Sequence, residues 1–469
     1  MIALRLIEVA EAVGGTLAGG ADPAATVTGP VEYDSRRVVP GGLFVALRGE
    51  RDDGHRFAAG AVAAGAVATL AEEEVGAPAV LCSDTLVGLG RVARAVVDRL
   101  PDTTIVGVTG SSGKTSTKDL IAQLTERLGT TVAAQGTLNN EMGHPYTVLR
   151  ADEQTRYLVL EYSARGVGHI SYLCGIAPPR IAVVLNVGSA HLGEFGSVEA
   201  IATAKGELVE ALPADGVAIL NADDPRVRAM AARNPGRTVL VGTAEDADVR
   251  AVDVVLDGMG RPGYRLRTSA GEAQVRLRLF GEHQVGNTLA AAAVALELGM
   301  PLDELATALG ELRPASERRM DVFERPDGVT VVDDSYNANL GSMTAALKAL
   351  AAIGTGRRTW AVLGYMAELG EYEQAQHEQV GRLAVDLGVD RVVVVEPEAG
   401  GIHDGALSRA AETGWEGQSV QVPDQQAASA LLGGELRRGD VVLVKGSRYR
   451  TWRVVDDLRD VRADGEVTA

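Results

Sequence analysis

Residues 105–115 read IVGVTGSSGKT, and this stretch decides the fold. Its first four residues predict a buried strand, the glycines and serines predict a turn, and Ser116 to Leu128 predicts a helix. Glycines let a backbone fold closely around phosphates, and the N–H groups at a helix N-terminus stabilise an anion. The stretch therefore predicts a nucleotide-binding loop; the alternative is a Gly/Ser turn that only caps a helix.

The loop has the short TGxxGKT spacing, because the longer GxxxxGK[ST] pattern would need a glycine at Val108. We expect Lys114 to reach the β- and γ-phosphates and the Thr115 hydroxyl to ligate Mg²⁺. The residues predicted to hold ATP in this loop are Thr109, Gly110, Ser111, Ser112, Gly113, Lys114, Thr115 and Ser116.

Strands alternate with helices on the C-terminal side of the loop, which is the pattern of a parallel sheet. Residues 251–280 alternate as an antiparallel edge would, and residues 287–298 predict an Ala-rich helix. Further strands are predicted at Tyr157–Leu160, Ile181–Leu185, Val217–Leu220, Thr238–Val241, Val329–Val332, Thr359–Leu363, Arg391–Val395 and Val441–Val444.

A length of 469 residues predicts about three domains. We expect an α/β protein with a small mixed α/β N-terminal domain (1–100), a central P-loop parallel-sheet ATPase domain (101–313) and a C-terminal Rossmann-like doubly wound domain (314–469). In the first of these, Leu43–Leu47 predicts a strand and Ala58–Ala71 predicts a helix.

Composition excludes several classes of protein. The net charge of −18 argues against a nucleic-acid binder. Cys82 and Cys174 are too few and too far apart for a disulfide framework or a zinc knuckle. Glu8 and Glu11 interrupt the N-terminal apolar stretch, so no signal peptide is predicted, and the longest apolar run, residues 57–71, is too short to span a bilayer. We expect a cytoplasmic monomer without membrane insertion.

Two side chains are predicted at the carboxyl ends of neighbouring strands, the edge where ligands bind in parallel sheets. Glu161 ends the strand at 157–160, so it is a candidate metal ligand, although a solvated carboxylate is the alternative. His191 follows the strand at 181–185, and its coincidence with Glu161 makes it a second candidate.

Lys205 is a candidate functional residue because lysine is rare in this chain: only five of the 45 Lys and Arg residues are lysines. Near Mg²⁺ and other cations the pKa of an amine falls, and a neutral amine reacts with CO₂ to give a carbamate, which a guanidinium does not do in this way. The alternative is a surface Lys–Glu pair on a helix.

Together these residues resemble those of the Mur ligases, ATP-dependent amide-forming enzymes of peptidoglycan synthesis, over nearly the whole chain. The similar segments are TGSSGKTSTK (109–118), GTLNNEMGHPYTVL (136–149), SAHLGEFGSVEAIATAKGELVEAL (189–212), GEHQVGNTLAAAAVA (281–295), ERRMDVF (317–323) and VVDDSYNAN (331–339).

The resemblance implies a role for individual residues. Glu161 and His191 would be metal ligands and Lys205 a carbamylated metal ligand, while Asn287, Arg319 and Asp334 would contact the nucleotide. Lys114, Glu161, His191 and Lys205 would carry the catalysis. The asparagines of two of the segments would contact substrate, namely Asn139, Asn140, Asn337 and Asn339.

Within the family, residues 32–57, 331–339 and 443–450 resemble the member that adds D-alanyl-D-alanine to UDP-N-acetylmuramoyl-tripeptide. In that case Ser35, Arg36 and the loop from Gly49 to His55 would hold the uridine diphosphate end. Leu340 and Tyr365 depart from the family pattern.

The implied mechanism transfers the γ-phosphoryl group of ATP to a carboxylate, and the amine then attacks the acyl phosphate. Domain closure would complete the site. Three alternatives remain at this point: another amide ligase on the same scaffold, a P-loop NTPase acting as a switch or motor, and a non-catalytic nucleotide-binding protein.

Overall fold

The structure is a computed structural model that describes residues 1–49, 52–190, 192–447 and 450–460. Within these residues the strands form a two-, a five-, a six- and a nine-stranded sheet, and helices pack against them. The predicted α/β class is therefore confirmed. None of the helices in the described ranges is both long and apolar enough to cross a bilayer.

The first unit is a small mixed sheet with helices beside it. Its larger sheet has the order β2-β7-β6-β5-β4, in which only the β2–β7 pair is antiparallel. Its elements are β1 (Leu4–Arg5), α1 (Leu6–Val13), β2 (Thr16–Ala18), β3 (Thr26–Val27), β4 (Val31–Glu32), β5 (Leu43–Val45), α2 (Ala58–Ala63), β6 (Ala68–Ala71), β7 (Ala79–Leu81) and α3 (Thr85–Val97).

The helix predicted over 58–71 was wrong in its second half. It ends at Ala63, and β6 pairs in parallel with both β5 and β7. Gly65 breaks the helix with a φ of +113°, and a Cβ there would lie 2.8 Å from the Cα of Pro40. Alanine fits a helix or a buried strand, so pairing with distant strands decides its conformation.

The central unit contains a nine-stranded sheet of order β16-β15-β14-β13-β12-β11-β8-β10-β9, parallel from β14 to β9 with an antiparallel edge. Its elements are β8 (Thr104–Thr109), α4 (Lys114–Thr125), β9 (Thr131–Ala133), α5 (Gly143–Val148), β10 (Tyr157–Glu161), α6 (His169–Ile176), β11 (Ile181–Val184), α7 (Leu192–Phe195), α8 (Val198–Glu210), β12 (Val217–Asn221), α9 (Pro225–Ala229), β13 (Arg237–Gly242), β14 (Val249–Leu256), β15 (Pro262–Thr268), β16 (Gly271–Arg276), α10 (Gln284–Glu297) and α11 (Leu302–Glu311).

The core of this unit explains its composition. Both faces of the parallel strands are buried, which is why they are almost entirely apolar. The alanine run of α10, residues 290–293, is fully buried and lets that helix pack closely on α4, the helix that follows the nucleotide loop. The loop is thus held between a packed helix and the middle of the sheet.

The third unit is a doubly wound sheet of order β17-β18-β22-β19-β20-β21, parallel except for β17. β17 is an edge strand that the sequence did not predict. The elements are β17 (Asp321–Glu324), β18 (Thr330–Asp333), α12 (Leu340–Ile353), β19 (Thr359–Leu363), α13 (Glu373–Asp386), β20 (Arg391–Val395), α14 (Gly400–Thr413), β21 (Gln418–Val422), α15 (Gln425–Glu435), β22 (Val441–Lys445) and α16 (Trp452–Arg459).

Candidate active site

A cleft of about 700 Å³ lies between the central and third units. Its central side is formed by the nucleotide loop and the carboxyl ends of β10 and β11, and its third-unit side by the segments after β18 and β22. Residues from both sides that sequence analysis predicted line it: Ser111, Ser112, Gly113, Lys114, Thr115, Ser116, Asn139, Asn140, Glu161, Asn287, Arg319, Asp334, Asn337 and Asn339.

The nucleotide loop turns between β8 and α4, which begins at Lys114. Gly113 precedes the helix with a φ of +81°, and a Cβ there would lie 2.8 Å from Asn287 Oδ1. Glycine is therefore required both by the backbone conformation and by the close approach of α10. Asn287 is itself oriented by a 3.0 Å hydrogen bond from its Nδ2 to Gln284 Oε1.

Asn186 ties the nucleotide loop to the end of β11, a role that was not predicted from the sequence. Its Oδ1 accepts hydrogen bonds from the backbone N–H groups of Ser111 and Ser112, at 3.0 and 2.9 Å, and its Nδ2 donates to Ser112 O at 3.1 Å. The sequence feature that could have identified Asn186 as a site residue is its position directly after the predicted strand at 181–185. The N–H groups of Ser111 and Ser112 are thus paired with Asn186, which fixes this part of the loop against the end of β11.

Thr109 and Gly110 support the loop from below. The Thr109 side chain is buried and donates to Tyr162 O at 2.8 Å. Gly110 offers its carbonyl oxygen to Lys114 Nζ at 2.9 Å. These two predicted nucleotide contacts lie behind the part of the loop that lines the cleft.

Lys114 is a half-buried lysine at the base of the cleft. Burial lowers its pKa, the charge of Arg319 lowers it further, and the carboxylate of Glu161 opposes this change. Arg319 belongs to the third unit, so cations from two units converge near the loop. Such a site favours a polyanion.

Glu161 ends β10 and is nearly fully buried. Its Oε2 accepts from the Thr115 hydroxyl at 2.9 Å, and its Oε1 accepts from Asn139 Nδ2 at 2.7 Å. Because β8 and β10 are adjacent parallel strands, the loop after one and the carboxylate ending the other meet at the same edge. A hydroxyl and a carboxylate at one point are suitable oxygen ligands for Mg²⁺.

Lys205 lies on α8 and is only 5% exposed. Burial lowers its pKa well below the usual range, the Lys114 charge lowers it further, and Glu161 opposes the change. The alternative of a surface Lys–Glu pair is therefore wrong. The structure brings Lys205 into the electrostatic neighbourhood of Lys114 and Glu161.

His191 lies outside the described residues, so its predicted place beside Glu161 stays a prediction. Among the residues that the structure does describe, no group of three or more His, Cys, Asp or Glu side chains forms a candidate metal cage.

The third unit contributes a buried ion pair. Lys445 Nζ, at the end of β22, contacts Asp334 Oδ2 at 2.5 Å and donates to Asn337 O at 3.0 Å. Burial lowers the pKa of Lys445 while Asp334 opposes the change. Met320 N also donates to Asp334 Oδ1, at 3.2 Å, so this carboxylate anchors the segment after Arg319. No firm role was predicted for Lys445 from the sequence, although its position directly after the predicted strand 441–444 indicates the ligand-binding edge of the sheet.

The asparagines of the cleft also shape their own segments. Asn140 Oδ1 accepts from Gly143 N at 2.9 Å, and Asn339 Oδ1 caps α12 by accepting from Ser342 N at 2.9 Å. Leu340 is the first residue of that helix, and Tyr365 donates from its hydroxyl to Glu373 Oε2 at 2.5 Å.

The residues predicted to bind uridine diphosphate belong to the first unit and are separate from the residues that line the cleft. Ser35 and Arg36 form a 3₁₀ turn, where the exposed Arg36 guanidinium pairs with Asp34 Oδ2 at 2.7 Å. Gly49 N donates to Asp52 O at 2.9 Å, and Gly49 itself is exposed.

His55 differs from the expectation, because its imidazole is buried and fully used within the first unit. Its Nδ1 lies 2.6 Å from Asp53 Oδ1, and its Nε2 accepts from Glu72 N at 2.9 Å. The ring therefore holds its loop in place and has no nitrogen left for a ligand.

Comparison with protein families finds three matches along the chain. The Mur ligase family catalytic domain matches residues 30–100, the Mur ligase middle domain matches 108–295, and the Mur ligase glutamate ligase domain matches 318–448.

Curated relatives and solved structures agree with these matches. UDP-N-acetylmuramoyl-tripeptide--D-alanyl-D-alanine ligase of Mycobacterium tuberculosis H37Rv is 49% identical over 95% of this chain and 96% of the relative. The enzyme of that name from Escherichia coli K12 is 36% identical over 96% of each chain. A crystal structure of MurF from Acinetobacter baumannii superposes with a TM-score of 0.86 and 30% identity, covering 96% of this chain and 97% of that one. MurF ligase from Thermotoga maritima in complex with ADP gives a TM-score of 0.79 and 32% identity, covering 92% and 97%.

Proposed function

This chain belongs to the Mur ligase family, and we propose that it joins D-alanyl-D-alanine to UDP-N-acetylmuramoyl-tripeptide. It is an ATP-dependent ligase of peptidoglycan precursor synthesis that forms a peptide-type bond and releases ADP. The observation that carries this function is the cleft in which the nucleotide loop and Glu161 face Arg319 and Asp334.

We infer that ATP lies in this cleft with its phosphates at the loop and its nucleoside toward Asn287 and Asp334. The positive charges of Lys114 and Arg319, together with the N-terminus of α4, support the triphosphate position. The Asp334 carboxylate is a suitable acceptor for ribose hydroxyls.

We propose that Thr115, Glu161, His191 and a carbamylated Lys205 hold Mg²⁺. Oxygen donors at the Thr115–Glu161 contact fit this ion. When bound, it would neutralise negative charge on the transferring phosphoryl group.

The carbamate of Lys205 is supported by its burial and lowered pKa, since a neutral amine is the form that reacts with CO₂. The reaction joins the amine nitrogen to the carbon of CO₂ and releases one proton. It converts a buried neutral amine into an anion, which attracts the positive charge of Lys114.

The chemistry that follows brings two anions together, because a substrate carboxylate must attack the γ-phosphorus of ATP. Lys114 and Arg319 supply positive charge at this point, and a cleft that held the reacting groups in line would bring the carboxylate to the phosphorus. The acyl phosphate that forms is attacked by the D-alanyl-D-alanine amine, and phosphate leaves. Asn139, Asn140, Asn337 and Asn339 would position the two substrates in the cleft.

The first unit is proposed to hold the uridine diphosphate end through Ser35, Arg36 and the segment that begins at Gly49. The exposed guanidinium of Arg36 is suited to a phosphate contact. His55 would act only by holding this segment in place.

We place the unit boundaries near residues 100 and 313, because β8 begins at Thr104 and the segment between α11 and β17 spans residues 312–320. A monomer is proposed, since one chain supplies both walls of the cleft. A cytoplasmic location is inferred from its nucleotide-linked substrates and from the two buried free thiols.

The decisive experiment measures phosphate release with ATP, Mg²⁺ and UDP-N-acetylmuramoyl-tripeptide, with and without an amine. Release should require both substrates, and D-alanyl-D-alanine should exceed L-alanine, D-glutamate and diaminopimelate. Hydrolysis of ATP without any acceptor would instead favour a P-loop switch, and preference for another amine would identify a different ligase of this scaffold.

A further inference from the structure

Tyr336 lies where the hinge segment 312–320, the cleft and the central unit meet. The guanidinium carbon of Arg319 lies 4.2 Å from the centroid of its ring. Its hydroxyl contacts Thr137 Oγ1, on the opposite wall, and all three side chains line the cleft. The ring face of Tyr336 thus contacts the cation of Arg319 in the hinge segment, and its hydroxyl contacts Thr137 in the central unit.

The Tyr336 ring contacts the Arg319 guanidinium through its aromatic face and not through a hydrogen bond. Its Nε is buried but has no hydrogen-bond partner among the described residues. Its charge lowers the pKa of both Lys114 and Lys445. An aromatic face stabilises a guanidinium without using its N–H groups, so those groups stay free for an anion in the cleft.

The backbone around Arg319 is also fixed. Its neighbours Arg318 and Met320 both have left-handed conformations, with φ of +58° and +53°, which side-chain-bearing residues rarely adopt. Tyr336 N donates to Arg318 O at 3.2 Å. The backbone therefore sets where the arginine side chain begins, and the tyrosine ring sets where it ends.

We propose that Tyr336 is a positioning residue of the nucleotide site: its ring directs Arg319 toward the triphosphate, and its hydroxyl links that placement to the closed cleft through Thr137. This inference rests on the proposed function only in taking the cleft as the ATP site.

The first test compares equilibrium affinities for ATP and AMP, because only ATP carries the phosphates that Arg319 would contact. Tyr336→Leu should lower the ATP-to-AMP affinity ratio about five- to thirtyfold, whereas Tyr336→Phe, which keeps the ring, should retain it. Tyr372→Leu is the matched control, because Tyr372 is 39% exposed on the third unit. An unchanged ratio in Tyr336→Leu would overturn the proposal, as would an equal loss of ATP and AMP affinity.

The second test addresses the hydroxyl through kcat and KM for ATP in the ligation assay. Tyr336→Phe and Thr137→Val should each lower kcat while KM stays within about twofold, and the double variant should equal either single one. Additive effects would show that the two hydroxyls act separately and would contradict a functional contact between Tyr336 and Thr137. If the wild-type chain showed no ligation activity, only the proposed function would be rejected. The ratio of ATP to AMP affinity is measured without an acceptor substrate and would still test the role of Tyr336.

Discussion

The Thr115 hydroxyl donates a 2.9 Å hydrogen bond to Glu161 Oε2, which joins the first turn of α4 to the carboxyl end of β10. Asn139 Nδ2 contacts the other oxygen of the same carboxylate at 2.7 Å. Glu161 is therefore oriented on both sides before any ligand enters. A carboxylate fixed in this way holds its negative charge beside the nucleotide loop, at the proposed position of the Mg²⁺ ion.

Glu161→Gln should lower kcat/KM for ligation on the order of 100-fold, because the amide keeps the shape but loses the charge of a metal ligand. The Mg²⁺ concentration for half-maximal phosphate release should rise. A titration with Mg²⁺ measures both effects. Glu126→Gln, at an exposed carboxylate on the same unit, is the control. An unchanged Mg²⁺ requirement in Glu161→Gln would reject Glu161 as a ligand.

Lys205→Ala should lose nearly all ligation, because the chain then lacks the group that becomes the carbamate. A short-chain carboxylic acid added in solution should restore part of the activity by supplying the missing carboxylate. Phosphate release with increasing acid concentration measures this rescue. Lys348→Ala, at an exposed lysine, should retain wild-type activity and show no response to the acid.

The wild-type pH profile tests the same assignment. Burial and the Lys114 charge lower the pKa of Lys205, so its neutral form persists to lower pH than that of an exposed lysine. As pH falls through this lowered pKa the amine is protonated, the carbamate is lost, and kcat should decline. Removing CO₂ should lower activity and bicarbonate should restore it. If CO₂ removal did not change wild-type activity and the carboxylic acid did not rescue Lys205→Ala, Lys205 would be a buried amine that carries no carbamate.

Gly113→Ala should weaken ADP binding on the order of tenfold or more, because it adds both left-handed strain and a clash with Asn287 Oδ1 at 2.8 Å. Gly388→Ala separates the two causes, since Gly388 has a φ of +69° with open space around its Cβ position. It should cost stability but leave ADP affinity unchanged. Titration calorimetry measures the affinities, and equal ADP affinity in both variants would contradict the close approach of α10 to the loop.

Local patterns predicted the parallel sheet and the nucleotide loop because both depend on residues near each other in the chain. The apolar run 105–108 followed by glycines gave β8 and the turn to α4 directly. The end of the strand at 157–160 placed Glu161, since all carboxyl ends of a parallel sheet lie on one edge.

Contacts between distant segments could not be predicted in this way. Residues 68–71 became a strand because β5 and β7 lie on either side. The His55 ring nitrogens are occupied by Asp53 and by the backbone of Glu72, and the latter partner is fixed only by folding. Lys445 meets Asp334 across 111 residues, so periodicity carries no information about that ion pair.

Lys118 shows how a rare lysine can serve stability instead of chemistry. Its side chain is 1% exposed, and its Nζ contacts Asp119 Oδ1 and donates to Ala134 O at 2.5 Å. Asp119 Oδ2 in turn accepts from the Ser316 hydroxyl at 2.6 Å. The pair on α4 therefore anchors the hinge segment 312–320 to the helix that follows the nucleotide loop.

Lys118→Met should lower the free energy of unfolding by about 3–5 kcal/mol, because it leaves the Asp119 carboxylate buried without its cation. Adding Asp119→Leu should recover part of this loss, since the uncompensated charge is then removed. Ser316→Ala should cost only about 1–3 kcal/mol, because it removes one hydrogen bond and leaves the ion pair intact. Urea unfolding followed by circular dichroism measures the three variants. If the Lys118→Met/Asp119→Leu double variant were less stable than Lys118→Met, lost packing rather than a stranded charge would be the cause, and the anchoring of the hinge would depend on shape instead of charge.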